Sequence, residues 1–274
     1  MRVNVNGIGL EVQVSGEGPA VLLVHGYPDT HALWRHQVAA LNAAGYRTIA
    51  PDLRGFGASD KPKDLAAYDL GEHVADLLNL LDHFEVERAH LVGHDWGASI
   101  TQLVAATAPD RISSLSLLSV GHLSAGGPAA GIDQLAKFWY MLLFQFQDVA
   151  EQWLAHGDLT GLRMWAATHP DLEEVVTRMR DPEALTSGIA IYRRNVPPQA
   201  FIPGTLQAPP IKVPTMGVWS SGDVYLTEEA MVCSAPYIDA PWRYERLEDA
   251  GHWMQLDQPE KVNELLLDFI ASLR

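Results

Sequence analysis

Three residues of this 274-residue chain, Asp95, Asp223 and His252, are of types that together perform nucleophilic catalysis. Each stands in a glycine-marked stretch: Gly93-His94-Asp95-Trp96-Gly97, Ser221-Gly222-Asp223 and Gly251-His252-Trp253. A carboxylate is already ionised at neutral pH, so Asp95 needs no base to attack a saturated carbon that carries a leaving group, and the product of that attack is an ester. A histidine oriented by a second carboxylate is the group that activates water against such an ester. Taken alone, Asp95 reads equally well as a cap on the helix that follows it. Three suitable residues in the order nucleophile, acid, histidine, each where a strand runs into a loop, favour a triad over three unrelated loop residues.

The elements that must hold them follow from the hydrophobic pattern. Ala89 to Val92 is an apolar run that reads as a buried strand, and Trp96 to Ala108 reads as a helix stopped before Pro109. A strand that turns sharply into a helix needs small residues beside the bend, which Gly93 and Gly97 supply. Earlier, two alternating segments, Arg2 to Asn6 and Ile8 to Val14, meet at Asn6-Gly7, a hairpin signal. Ala20 to Val24 is a strand covered on both faces and runs into His25-Gly26-Tyr27-Pro28, whose backbone N–H groups are candidates for an oxyanion hole. Tyr46 to Ala50 is the next strand. In the glycine-rich loop after it, Asp52 and Arg54 are expected to form a structural ion pair. Val74, Leu77, Leu78, Leu81 and Phe84 line one stripe of a scaffold helix with Asp69 and Glu72 spaced as a capping pair, and Ile112 to Val120 is a further strand.

That alternation predicts an α/β fold, a mostly parallel central sheet with helices on both faces. The rhythm breaks at His122. From there to about Pro210, Asp133 to Ala155 and Asp181 to Arg194 read as helices rich in aromatic residues, and the prolines from Pro197 to Pro210 read as an extended return. The expected organisation is a core of residues 1–121 and 211–274 with a helical cap, 122–210, inserted after the sixth strand. Thr215 to Ser220 and Arg243 to Leu247 resume the sheet, and Val262, Leu265, Leu266, Phe269, Ile270 and Leu273 mark a terminal helix beginning near Pro259.

Composition narrows the partners. A net charge of −15 repels nucleic acid and anionic membrane surfaces, so neither is expected as a partner. No apolar run approaches the roughly 20 residues that span a bilayer. The first residues lack the basic and then apolar regions of a signal peptide, which makes the cytoplasm the expected compartment. Cys233 is the single cysteine and has no metal-ligand spacing around it, and patterns for bound zinc or nucleotide phosphates are missing. No metal and no cofactor is expected.

Five stretches, His25-Gly26-Tyr27-Pro28, Asp52-Leu53-Arg54-Gly55-Phe56-Gly57, Gly93-His94-Asp95-Trp96-Gly97-Ala98, Gly222-Asp223 and Gly251-His252-Trp253, together resemble the α/β-hydrolase superfamily, in the branch with an aspartate nucleophile that contains epoxide hydrolases and haloalkane dehalogenases. Within the insertion, Phe138-Trp139-Tyr140-Met141-Leu142-Leu143-Phe144-Gln145 and Ile191-Tyr192-Arg193-Arg194-Asn195 are similar to the two cap motifs of epoxide hydrolases, which implies that Tyr140 and Tyr192 face the nucleophile. Two phenols above an oxirane would polarise and then protonate its oxygen, whereas a departing halide needs no proton. The resemblance further implies Tyr27 and Trp96 as oxyanion donors through their backbone N–H groups, a small-molecule epoxide and water as the reacting partners, and a homodimer as one allowed assembly. Phe138, Trp139, Phe144 and Trp165 are the candidates for an apolar or aromatic substrate site. The competing activity is that of a haloalkane dehalogenase, with Trp96 and a tryptophan of the insertion holding the halide. A ligand-binding homologue without catalysis is the remaining alternative.

Overall fold

The computed structural model describes residues 1–125, 131–202 and 207–273. Eight strands form one sheet: β1 (Arg2–Val5), β2 (Ile8–Ser15), β3 (Ala20–Val24), β4 (Arg47–Pro51), β5 (Ala89–His94), β6 (Ile112–Leu118), β7 (Thr215–Ser220) and β8 (Trp242–Leu247). Their order is β1-β2-β4-β3-β5-β6-β7-β8, antiparallel at β1-β2 and β2-β4 and parallel from β4 onward. The β1-β2 hairpin turns at Asn6 and Gly7, both at positive φ, as the dipeptide predicts. Every residue of β3 is buried, because helices pack on both faces of the parallel part.

Helices α1 (Arg35–Ala43), α2 (Leu70–His83) and α3 (Trp96–Thr107) alternate with the early strands, and α9 (Glu228–Val232), α10 (Met254–Asp257) and α11 (Pro259–Ala271) accompany the late ones. Between β6 and β7 the chain forms α4 (Ile132–Lys137), α5 (Trp139–Phe144), α6 (Val149–Trp165), α7 (Leu172–Met179) and α8 (Pro182–Asn195). The single helix expected over Asp133 to Ala155 is therefore three. Backbone breaks at Phe138 and Asp148 divide it, and α6 is itself kinked from His156 to Leu159, where Gly157 and Leu159 take positive φ. Helix α7 lacks a clear expectation because its apolar stripe is only two turns long. The predicted extended return contains a short 3-10 turn at Pro198–Phe201, and its residues 203–206 lie outside the described part.

Two polar expectations change. Asp52 and Arg54 do not pair with each other. Asp52 accepts from the backbone and side chain of His31 and from Ala58 N, whereas Arg54 makes a bidentate pair with buried Asp76 of α2 at 2.6 Å. Arg54 already lies in a turn, where the alternation that puts residues two apart on one side of an extended chain no longer holds, and each finds a different neighbour. Asp69 does cap α2 through Gly71 N, but Glu72 turns away to Asn6 and Arg54 instead of closing a capping box. Among the described residues no helix is long and apolar enough to cross a membrane.

Candidate active site

Asp95 occupies the turn between β5 and α3 with φ 54° and ψ −122°, a conformation costly for any residue with a Cβ. The glycines around it make the turn sterically accessible. A Cβ on Gly97 would lie 1.9 Å from the carbonyl oxygen of Val24, and one on Gly93 would lie 2.4 Å from that of Gly97. A Cβ on Gly26 would lie 2.2 Å from Asp95 Oδ1, so that glycine lets the β3 loop reach the carboxylate. The approach is used: Tyr27 N–H donates to Asp95 Oδ1 at 2.9 Å. Trp96 opens α3, where the first N–H groups lack intrahelical acceptors, and the positive end of the helix dipole favours the neighbouring carboxylate.

His252 faces Asp95 from the loop after β8. Its Nδ1 is 2.9 Å from Asp223 Oδ2 and its Nε2 is 3.7 Å from Asp95 Oδ2. The other oxygen of Asp223 accepts from Tyr225 N and Leu226 N at 2.8 and 2.9 Å, which fixes the acid and hence the ring. Burial disfavours the charged imidazole, but the attraction of Asp223 and Asp95 outweighs it and raises the His252 pKa to about 10. Burial also raises the Asp223 carboxyl, and the facing His252 and the two amides more than reverse that, leaving it lowered. The His252 carbonyl accepts from Ser119 Oγ and lies 2.9 Å from His94 Nε2. Burial and the His252 charge push His94 down to about 4, so it is a neutral anchor.

The inserted helices bring the two tyrosines to this point. Tyr140 and Phe144 share the buried face of α5, four residues apart. Tyr192 on α8 packs edge-on against Trp96 at 4.9 Å and lies 5.9 Å from Tyr140 between ring centroids. Arg193 holds α8 in place with a bidentate pair to Glu151 and a bond to the Phe144 carbonyl. Burial raises both phenols well above their ordinary range, and the Asp95 charge adds to it, so both are protonated. Among the described residues, none makes a hydrogen bond to the buried Tyr192 Oη.

A cavity of about 260 Å³ opens from Asp95, Trp96 and Tyr140, and its walls are largely apolar. Of the four residues expected to bind substrate, Phe138 lines it. Trp139, Phe144 and Trp165 do not. Trp139 lies on the outer face of α5, 47% exposed, because the helix gives its inner face to Tyr140 and Phe144. Phe144 and Trp165 are buried among Tyr27, Tyr140 and Tyr225.

Several residues that hold the site carry no sequence motif. Gln134 of α4 bonds Tyr225 O and Thr227 N, and Lys137 donates to the Asp223 carbonyl at 3.0 Å, so α4 grips the loop of the acid. Buried Asp29 accepts from Trp253 Nε1 at 2.9 Å and faces His169 Nε2 at 3.1 Å. His169 Nδ1 accepts from Asp171 N, so Nε2 carries the proton given to Asp29. Burial raises the Asp29 carboxyl, yet His169 and Arg178 bring it down to about 2. Asp29 therefore ties the Tyr27 loop and the His252 loop to the inserted segment. Only its place one residue after Pro28 could have drawn attention to it.

A family model described as alpha/beta hydrolase fold matches residues 19–259. Epoxide hydrolase A of Mycobacterium tuberculosis is 32% identical, over 99% of this chain and 97% of that protein. An epoxide hydrolase of Caballeronia sordidicola is 31% identical, over 99% and 93%. Among solved structures, epoxide hydrolase A from Mycobacterium thermoresistibile superposes with a TM-score of 0.84 at 28% identity, over 99% of this chain and 97% of that one. A point mutant of an epoxide hydrolase from Bacillus megaterium, complexed with its naphthyloxy-propane-diol product, gives 0.87 at 25% identity, over 99% and 100%. The chain belongs to the α/β-hydrolase family, in its epoxide-hydrolase branch.

Proposed function

We propose that this chain hydrolyses epoxides to vicinal diols through an ester on Asp95. The observation that carries the reading is a carboxylate backed by a charged histidine and an amide, with two buried protonated phenols beside it. Asp95 attacks an oxirane carbon, the C–O bond breaks, and Tyr140 or Tyr192 gives its proton to the leaving oxygen. In the second step His252, oriented by Asp223, takes a proton from water as the oxygen of that water adds to the ester carbonyl. The N–H groups of Tyr27 and Trp96 stabilise the oxyanion. The ester then releases the diol and restores the Asp95 carboxylate. The proton that His252 carries at rest passes to the tyrosinate once the ester has formed, leaving a neutral base, and the proton taken from water restores it, so epoxide and water are consumed in equal amounts. In this reading residues 122–210 act as a cap over a core of residues 1–121 and 211–274, and the relatives' names and the diol held by one of them agree with the reaction.

One observation favours the halide reading: Trp165 Nε1 is buried without a partner among the described residues, while Trp96 lies beside the nucleophile. The experiment that separates the two is turnover of styrene oxide and 1-bromobutane by the wild type and by the Tyr140→Phe/Tyr192→Phe double variant. Diol formation that the double variant loses supports the proposal. Halide release that survives in the double variant overturns it in favour of a dehalogenase, and no turnover of either compound favours a binding protein.

A further inference from the structure

Among the described residues, the cavity that Asp95 lines is built by one set of elements. Its walls come from α3, the loop 120–123, the first two inserted helices and residues 195–201 and 207–208, with Leu103, Leu135, Phe138, Met141, Phe201 and Leu226 supplying apolar surface. Tyr27, whose N–H holds the carboxylate, packs instead into a region filled by aromatic rings. There Trp165 is the hub of an aromatic cluster, its ring 5.0 Å from Tyr27, 5.1 Å from Tyr225, 5.5 Å from Tyr140 and 6.4 Å from both Phe144 and Trp253. None of Tyr27, Phe144, Trp165 and Trp253 lines the cavity, and each is buried. The Tyr225 hydroxyl donates to the Trp165 carbonyl, and the Asp29 bond holds Trp253, so two members of the cluster are pinned by hydrogen bonds as well as packing.

A trans-1,2-disubstituted epoxide carries its two substituents in diverging directions from the ring. With the ring over Asp95, one substituent enters the apolar arm and the other meets the Trp165 cluster. A terminal epoxide has a single substituent and needs only the arm. We infer that the substrates of this protein are terminal epoxides bearing one apolar aryl or alkyl group, and that Trp165 is the residue that rejects disubstituted ones. The inference rests on the epoxide-hydrolase reading and narrows it. Trp165 acts here as a wall, which is a different role from the substrate-lining one expected from its sequence position.

The test compares styrene oxide with trans-stilbene oxide on the wild-type protein, scoring diol formation. The expected ratio of kcat/KM is about 100-fold or more in favour of styrene oxide, since an unaccommodated ring must displace packed aromatic groups. Comparable turnover of the two overturns the one-armed site and leaves the epoxide reading intact. No diol from either compound overturns both. Trp165→Ala is expected to raise the trans-stilbene to styrene oxide ratio by about tenfold or more. Because removing a buried indole can unfold the cluster, Leu103→Trp supplies a second test from the other side. It narrows the arm, and its loss in kcat/KM is expected to be about tenfold greater for styrene oxide than for propylene oxide. Equal losses for the two would place the substituent elsewhere and overturn the assignment of the arm.

Discussion

At the scale of single residues, the charges around His252 set the pH behaviour. With Asp95 ionised, two carboxylates hold the imidazole in its charged form, with a pKa of about 10. Esterification of Asp95 removes one of those charges, so the pKa falls at the step where a neutral base is required. Asp223→Asn removes the other. The acid limb of ester hydrolysis, followed by single turnover across pH, is then expected to move to lower pH while the rate drops by about 10²–10⁴. A limb that stays in place would mean that His252 is not the base. His252→Gln is expected to stop at the ester, visible as a mass increase on the peptide containing Asp95. Single Tyr140→Phe and Tyr192→Phe variants should each slow ring opening by about 10²-fold, measured with a saturating terminal epoxide, because each removes one donor to the same oxygen.

At the scale of elements, the turn between β5 and α3 depends on what stands beside it. Gly97→Ala puts a methyl 1.9 Å from the Val24 carbonyl oxygen, a contact with backbone that cannot move without shifting β3. This variant is expected to lose several kcal/mol, roughly 2–5 by analogy with overpacked and strained sites, and to melt far below wild type in calorimetry. Gly7→Ala, by contrast, meets nothing within 4 Å and bears only the cost of its φ of 72°, about 1 kcal/mol. The strands of the core and helices α2, α3 and α11 are legible because their patterns extend over several turns or pleats, and most of their boundaries fall within one or two residues of expectation, whereas α1, α9 and α10 carried no expectation. The inserted helices are less legible. Their apolar residues face several partners, and the breaks at Phe138, Asp148 and His156 carry no proline or paired glycine to announce them.

At the scale of the whole molecule, the inserted helices and the core share a buried polar junction. Asp29 gathers Trp253 and His169 there, and at the surface Arg35 pairs with Asp171 across the same boundary at 2.7 Å. Asp29→Asn keeps the volume but turns an amide N–H₂ toward one of the two donors. The expected loss is about 1–3 kcal/mol, a Tm decrease of several degrees, with a larger fall in kcat than a surface control such as Asp110→Asn. An unchanged Tm would show that the junction does not couple the two parts. The sequence by itself determined the fold class and marked Asp95, Asp223 and His252 as candidates, because steric needs at a sharp turn and chemically committed residue types leave a local signature, whereas Tyr140 and Tyr192 were marked only by the resemblance of the inserted segment to the motifs of a family. Tertiary structure alone decided that Arg54 pairs with Asp76, that Asp29 stands at the junction, and that Trp139 faces out while Trp165 is buried in an aromatic cluster. Those outcomes depend on which side chains from distant parts of the chain meet in space, and no local spacing encodes that.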